Sequence, residues 1–143
     1  MNNKQSTATK EKEVEVELRR PRHELTLINS THEYYDGYGR NLQINWSGDT
    51  HQAPQTDIIQ PGQSVTRKSR RTNDANFEIE ILREKDGAYI RTAFFTEHVS
   101  GTLSGSHETN RLSLRPDPED QDFVLLFRSD NDPAIERFPK DQW

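Results

Sequence analysis

The stretch Asn76-Phe-Glu-Ile-Glu-Ile-Leu82, followed beyond Asp86-Gly87 by Ala88-Tyr-Ile-Arg-Thr-Ala-Phe-Phe95, decides the fold class of this chain. Phe77, Ile79 and Ile81 alternate with Glu78 and Glu80, the period of a strand with one buried and one wet face. The residues from Glu84 to Gly87 supply a hairpin-length connection in which Gly87 is free to take a positive φ. The pattern predicts an antiparallel hairpin.

Alternation recurs outward from it. Upstream, Glu13-Val-Glu-Val-Glu-Leu-Arg19 alternates strictly, carries charge along one side and is ended by Arg20-Pro21, as suits the edge of a sheet. Strands are also expected over residues 23–29, over Arg40-Asn-Leu-Gln-Ile-Asn-Trp46, over residues 56–60 and, weakly, over 63–68. Pro61-Gly62 between the last two reads as the centre of a type II turn. Downstream, a small-residue-rich loop is expected over 96–108, then a strand over 109–115 broken at Pro116-Asp-Pro-Glu-Asp120. Asp122-Phe-Val-Leu-Leu-Phe-Arg128 is the most apolar run and reads as a central strand buried on both faces; a short strand at 135–138 follows a turn. No helix of ordinary length and no fixed repeat is visible. About eight short strands separated by turns predict an all-β fold, a single antiparallel β-sandwich or jelly roll over residues 13–143 behind a flexible N-terminal arm over 1–12.

Composition sets the scale of the core. Leu, Ile, Val and Phe number 29 of 143 residues, near the level at which disorder competes with folding. Their concentration in alternating runs argues for a lean, ordered core that subunit contacts would reinforce. The net charge of −5 favours solubility and disfavours bulk nucleic-acid binding. With no cysteine, disulfides, thiolate catalysis and cysteine zinc sites are excluded. No run is long enough to span a bilayer as a helix, and residues 1–12 lack the apolar segment of a secretory signal. The expectation is a cytoplasmic protein, with secretion by a non-classical route left open.

Catalytic signatures are weak. The five histidines show no metal-ligand spacing. Glu97-His98 and His107-Glu108 bracket one loop, where they would have to meet to act as an acid–base set. Asp117, Glu119, Asp120 and Asp122 do not follow an EF-hand pattern, and G-x-S-x-G is absent. No enzyme activity, metal or cofactor is expected.

Two features point to binding. Tyr34, Tyr35 and Tyr38 share a loop with Gly37 and Gly39, read as hinges; tyrosines are amphipathic and enriched at interfaces. Arg67, Lys68, Arg70 and Arg71 form a basic cluster able to contact anions, with the acidic region over 115–143 as a complementary patch on a neighbouring subunit. Trp46 is expected in the core, whereas Trp143 is either free or docked. These residues predict a non-enzymatic module acting through surface loops, with a protein partner or self-association foremost and a lipid headgroup or glycan as further partners. The alternative is a self-assembling subunit of a particle or filament, through strand addition or arm exchange.

The order of elements also resembles the small lipid-binding β-sandwich toxins of the aegerolysin kind. The similar stretches are Asn41 to Trp46, Ile59-Gln-Pro-Gly62, Phe77 to Leu82 and the Ser-Gly loop before Asn110. The cysteine-containing Gly-Arg-Ser segment and the Trp-rich strand of that family are missing here. The resemblance implies binding to a membrane lipid.

Overall fold

In a computed structural model, residues 22–101 and 105–143 are described. The arm over 1–12 and the edge strand expected over 13–19 lie outside them. Among the described residues nine strands form two packed sheets: β1 (Glu24–Ser30), β2 (Leu42–Gly48), β3 (Gln55–Ile59), β4 (Ser64–Lys68), β5 (Ala75–Lys85), β6 (Ala88–Val99), β7 (His107–Asp117), β8 (Asp120–Phe127) and β9 (Glu136–Pro139). One sheet has the order β4-β1-β7-β8-β9, the other β3-β2-β5-β6. The fold is a β-sandwich. Pairing is antiparallel except between β1 and β7, which run parallel with Glu24 opposite His107.

The deciding hairpin is longer than its sequence pattern suggests. Lys85 pairs directly with Ala88, so the turn has two central residues, Asp86 (φ 52°) and Gly87 (φ 82°). Positive φ at both defines the tight turn whose twist matches the flanking strands. Between Pro61 and Gln63, Gly62 has φ 86°, and the Gln63 amide donates to the Gln60 carbonyl at 3.0 Å, as the type II reading requires. The proline-rich segment after β7 makes a second hairpin instead of a break, because β7 runs on to Asp117 and pairs with β8 through a bulge there.

The core lies between the sheets. Leu25, Leu27, Leu112, Leu114, Val124 and Leu126 face Leu42, Ile44, Trp46, Phe77, Ile79 and Ile81, all fully buried or within 1% of it. Asn29 ties the sheets together at one end. Its amide donates to the carbonyls of Arg40 (2.7 Å) and Ile59 (2.8 Å), and its carbonyl accepts from the Thr31 hydroxyl at 2.7 Å. A buried amide with every group paired specifies the local geometry.

Two expectations need correction. The loop expected over 96–108 is short, because β6 continues to Val99 and β7 begins at His107. The apolar run on β8 is not buried on both faces: Val124 and Leu126 are in the core, but Phe123, Leu125 and Phe127 are half-buried on the outer face. β8 is an inner strand, yet among the described residues the outer side of its sheet has no second layer.

Candidate functional site

That outer face is built from residues alternating with the core. Across β7, β8 and β9, Arg115 pairs with Leu125, which pairs with Arg137, while Phe127 lies opposite Ser113 and Phe123 opposite Pro139. Three successive outward positions on β8 are therefore apolar, bounded by arginines. The Arg137 guanidinium lies 3.6 Å from the centre of the Phe123 ring. Arg115 sits between Phe127 at 4.5 Å and Tyr34 at 5.0 Å. Arginine over an aromatic face gains cation–π attraction and covers apolar surface with its stem.

Each arginine is held by a carboxylate. Arg111 meets Glu33 at 3.4 Å, Arg115 meets Asp130, and Arg137 meets Asp117 at 2.9 Å and Asp120 at 3.7 Å. Arg115 keeps a buried Nε without a partner among the described residues. Asp117, Asp120, Asp130 and Asp132 of the acidic C-terminal region are thus engaged within the chain. Asp117 also accepts the Glu119 amide at 2.9 Å, and Asp120 accepts that of Asp122 at 3.0 Å. These carboxylates shape the β7–β8 turn and anchor Arg137. Among the described residues, no group of three or more His, Asp or Glu side chains converges to hold a metal.

The Glu119 amide and Arg137 hold the Asp117 carboxyl below the usual carboxylate range. A depressed acid contributes stability that is complete above its unfolded pKa and is lost as pH falls through the lower folded value. The thermal midpoint is expected to fall on acidification below the ordinary carboxylate pKa of about 4, less steeply in Asp117→Asn. Equal slopes in circular-dichroism melts of both proteins would contradict this. Glu97 has the opposite sign: burial raises its pKa despite Arg128, so this group favours folding at low pH and opposes the Asp117 trend.

Of the tyrosine loop, Tyr34 reaches this face, its ring centre 5.0 Å from the Arg115 guanidinium. Tyr34 and Tyr35 are exposed, at 52% and 61%. Tyr38 is not: it packs partly buried against the core, and its carbonyl accepts the Trp143 indole N–H at 2.7 Å. Its side chain serves the fold. Nor do the glycines act as hinges. A Cβ on Gly37 would meet the Tyr35 ring at 2.5 Å, and one on Gly39 would meet the His32 Cβ at 3.0 Å. They permit close packing, and Arg40 fixes the loop by donating to the carbonyls of both at 2.9 Å.

The basic cluster does not act as one patch. Arg67 turns to Asp57 on β3 with two hydrogen bonds, Nε at 2.8 Å and Nη2 at 2.5 Å. Arg70 meets Asp49 at 3.4 Å, and Arg71 donates to the Asn73 side chain at 3.4 Å. Lys68 is exposed and has no side-chain partner among the described residues.

The histidine–glutamate pairs separate because adjacent strand residues face opposite ways. Glu97 binds Arg128, while His98 meets Asn76 at 2.7 Å on the outer face. His107 bonds the Thr26 hydroxyl at 2.8 Å. The pairs form no acid–base set.

Sequence reading missed Arg83. It is 5% exposed, lies 4.9 Å from the Phe138 ring and 5.1 Å from the Trp143 ring, and donates to the Gln142 carbonyl at 2.7 Å. Burial, with the nearby Arg40 charge, lowers its pKa. The signal was its parity, because Arg83 continues the inward series Phe77, Ile79, Ile81.

Comparison of the chain with protein-family models, curated proteins and solved structures gives no match. The stretches resembling aegerolysins fall on β2, the β3–β4 turn, β5 and the loop before β7.

Proposed function

We propose that this chain is a non-enzymatic interaction module that docks a protein on the outer face of its five-stranded sheet. One observation carries the reading: Phe123, Leu125 and Phe127 form a half-buried apolar ridge on an inner strand, with no second layer over it among the described residues and with stacked arginines and the exposed Tyr34 at its sides. Phe, Tyr and Arg are the residues enriched at interfaces and hot spots. Because the arginines already have carboxylate partners, charge alone does not recruit the partner. The fitting surface offers apolar side chains to the ridge and acceptor groups to the half-exposed Arg111 and Arg137.

A second reading, assembly of identical subunits, is favoured by the opposite face of the molecule. The outer face of the four-stranded sheet carries Glu78, Glu80 and Glu84, together with Phe94 at 50% and Ile58 at 56% exposure. Glu80 pairs with Arg91 at 3.3 Å, and the face offers apolar side chains and carboxylate acceptors to the arginine-bearing face. A contact between two different faces generates rings or open filaments.

Tyr34→Ala and Leu125→Asp test the first reading. Loss of a hot-spot side chain is expected to weaken binding by about 2 kcal/mol or more, roughly 30-fold, while Tyr34→Ala, at an exposed position, keeps the parent circular-dichroism spectrum. Binding indifferent to both variants would remove this face from the account. Light scattering over a concentration series separates the readings: mass rising with concentration, and abolished by Glu80→Lys, supports self-assembly, whereas a monomer throughout excludes it.

A further inference from the structure

The end of the sandwich at which β1 begins is held by two imidazoles. The His23 ring is fully buried. Its Nδ1 accepts the Ser106 backbone N–H at 3.0 Å, and its Nε2 lies 2.6 Å from the Asn73 backbone oxygen. An amide N–H only donates and a carbonyl only accepts, so the ring proton sits on Nε2 and Nδ1 is bare. His51, half-buried on the β2–β3 connection, takes Arg22 Nη1 at 2.7 Å on its own Nδ1. A guanidinium has no acceptor, so this Nδ1 is bare as well. The two rings thereby tie the residues before β1 to the β2–β3 connection, the β4–β5 connection and the residue that precedes β7. The exposed histidines carry no such demand. His107 bonds the Thr26 hydroxyl at 2.8 Å, which accepts as readily as it donates, and His98 meets the Asn76 side-chain oxygen at 2.7 Å. A protonated ring keeps both contacts.

A second proton on either ring goes to the bare Nδ1, where it meets the Ser106 N–H or the Arg22 cation. The carboxylates on the surrounding segments are Glu24, Asp49, Asp74 and Glu108, and none of them bonds either ring among the described residues. Lys68, Arg70 and Arg71, at the end of β4 and just beyond it, add positive charge. We propose that His23 and His51 form an acid-sensitive latch: proton uptake below about pH 6.5 breaks the Ser106 and Arg22 bonds and opens this end of the sandwich, while the core between the sheets stays closed. The closed form keeps both Nδ1 atoms bare, and the open form protonates them. Closure is therefore complete above the ordinary imidazole range and is lost as pH falls through it. About one pH unit below that range, each ring favours the open form by about tenfold, and the two together by about a hundredfold.

The test follows amide hydrogen exchange in the 15N-labelled full chain at about pH 7.5 and about pH 5.5, corrected for the intrinsic pH dependence of exchange to give opening constants. The Ser106 amide is expected to open at least about tenfold more readily at the lower pH, whereas Ile79 in the core changes by less than about twofold. His23→Gln keeps a donor for Asn73 and an acceptor for Ser106 with nothing to titrate. His51→Gln likewise keeps an acceptor for Arg22. Each variant is expected to remove about tenfold of the parent's rise at Ser106, and the double variant to open equally at both pH values. An opening constant at Ser106 that does not change with pH would overturn the proposal. So would a rise that persists in the double variant, or one that Ile79 shares in full. Should the buried His23→Gln fail to fold, His51→Gln decides alone, because a rise equal to the parent's overturns the latch.

Discussion

Replacing Trp143 by alanine is expected to lower the unfolding free energy by about 3–5 kcal/mol, the scale for truncating a buried aromatic side chain. The ring is 2% exposed, packs on Phe138 with centroids 5.4 Å apart and lies under the Arg83 guanidinium. Its N–H satisfies the Tyr38 carbonyl. Truncation opens a cavity and leaves both the carbonyl and the guanidinium short of a partner, so cavity and polar costs add. Trp143→Phe keeps most of the apolar ring and loses the N–H; an intermediate cost of about 1–3 kcal/mol follows. For a chain of this size the alanine variant should melt roughly 10 °C or more below the parent. A drop of only a degree or two in a calorimetric scan would show that the segment from Phe138 to Trp143 adds little to the core.

The second large effect is expected at Asp57. Its carboxylate takes the Trp46 indole N–H at 2.8 Å and two N–H groups of Arg67, joining β3 of one sheet to β4 of the other. Asp57→Ala strands a guanidinium whose side chain is 31% exposed and a buried indole N–H. Removing one member of a largely buried charged pair costs about 3–5 kcal/mol; partial exposure of Arg67 puts this site nearer 2–3. The double variant Asp57→Ala with Arg67→Met is expected to recover part of the loss, because no unpaired charge remains. Urea unfolding followed by tryptophan fluorescence reads both terms. Equal stability of the single and double variants would show that water, not Asp57, solvates Arg67.

These sites mark how far the sequence could be read. The β5–β6 hairpin was legible because alternation over Phe77, Ile79 and Ile81 admits one period, and turn residues bound it. The apolar run on β8 was legible as a strand but not as a face. Period-two reasoning assigns Phe123, Leu125 and Phe127 to the side opposite Val124 and Leu126 without saying what covers them. Arg67 read as surface charge because its partner lies ten residues upstream in the other sheet, a pairing set by how the sheets stack. Tyr34, Tyr35 and Tyr38 share one composition signal, yet only the first two stay exposed, since the indole of Trp143 reaches the Tyr38 backbone from the far end of the sequence. Tertiary contacts decide such cases, and local pattern carries no trace of them.

The central claim is that the outer face of β7, β8 and β9 is a docking surface. Its most direct test places a photo-crosslinking amino acid at Tyr34, with a control at Thr96 on the other sheet, in the full chain within its own cell extract. The account predicts one discrete adduct from position 34. It should be competed by unlabelled protein, lost in the Leu125→Asp background and absent from position 96. An adduct that forms equally from both positions, or that survives Leu125→Asp, would contradict it.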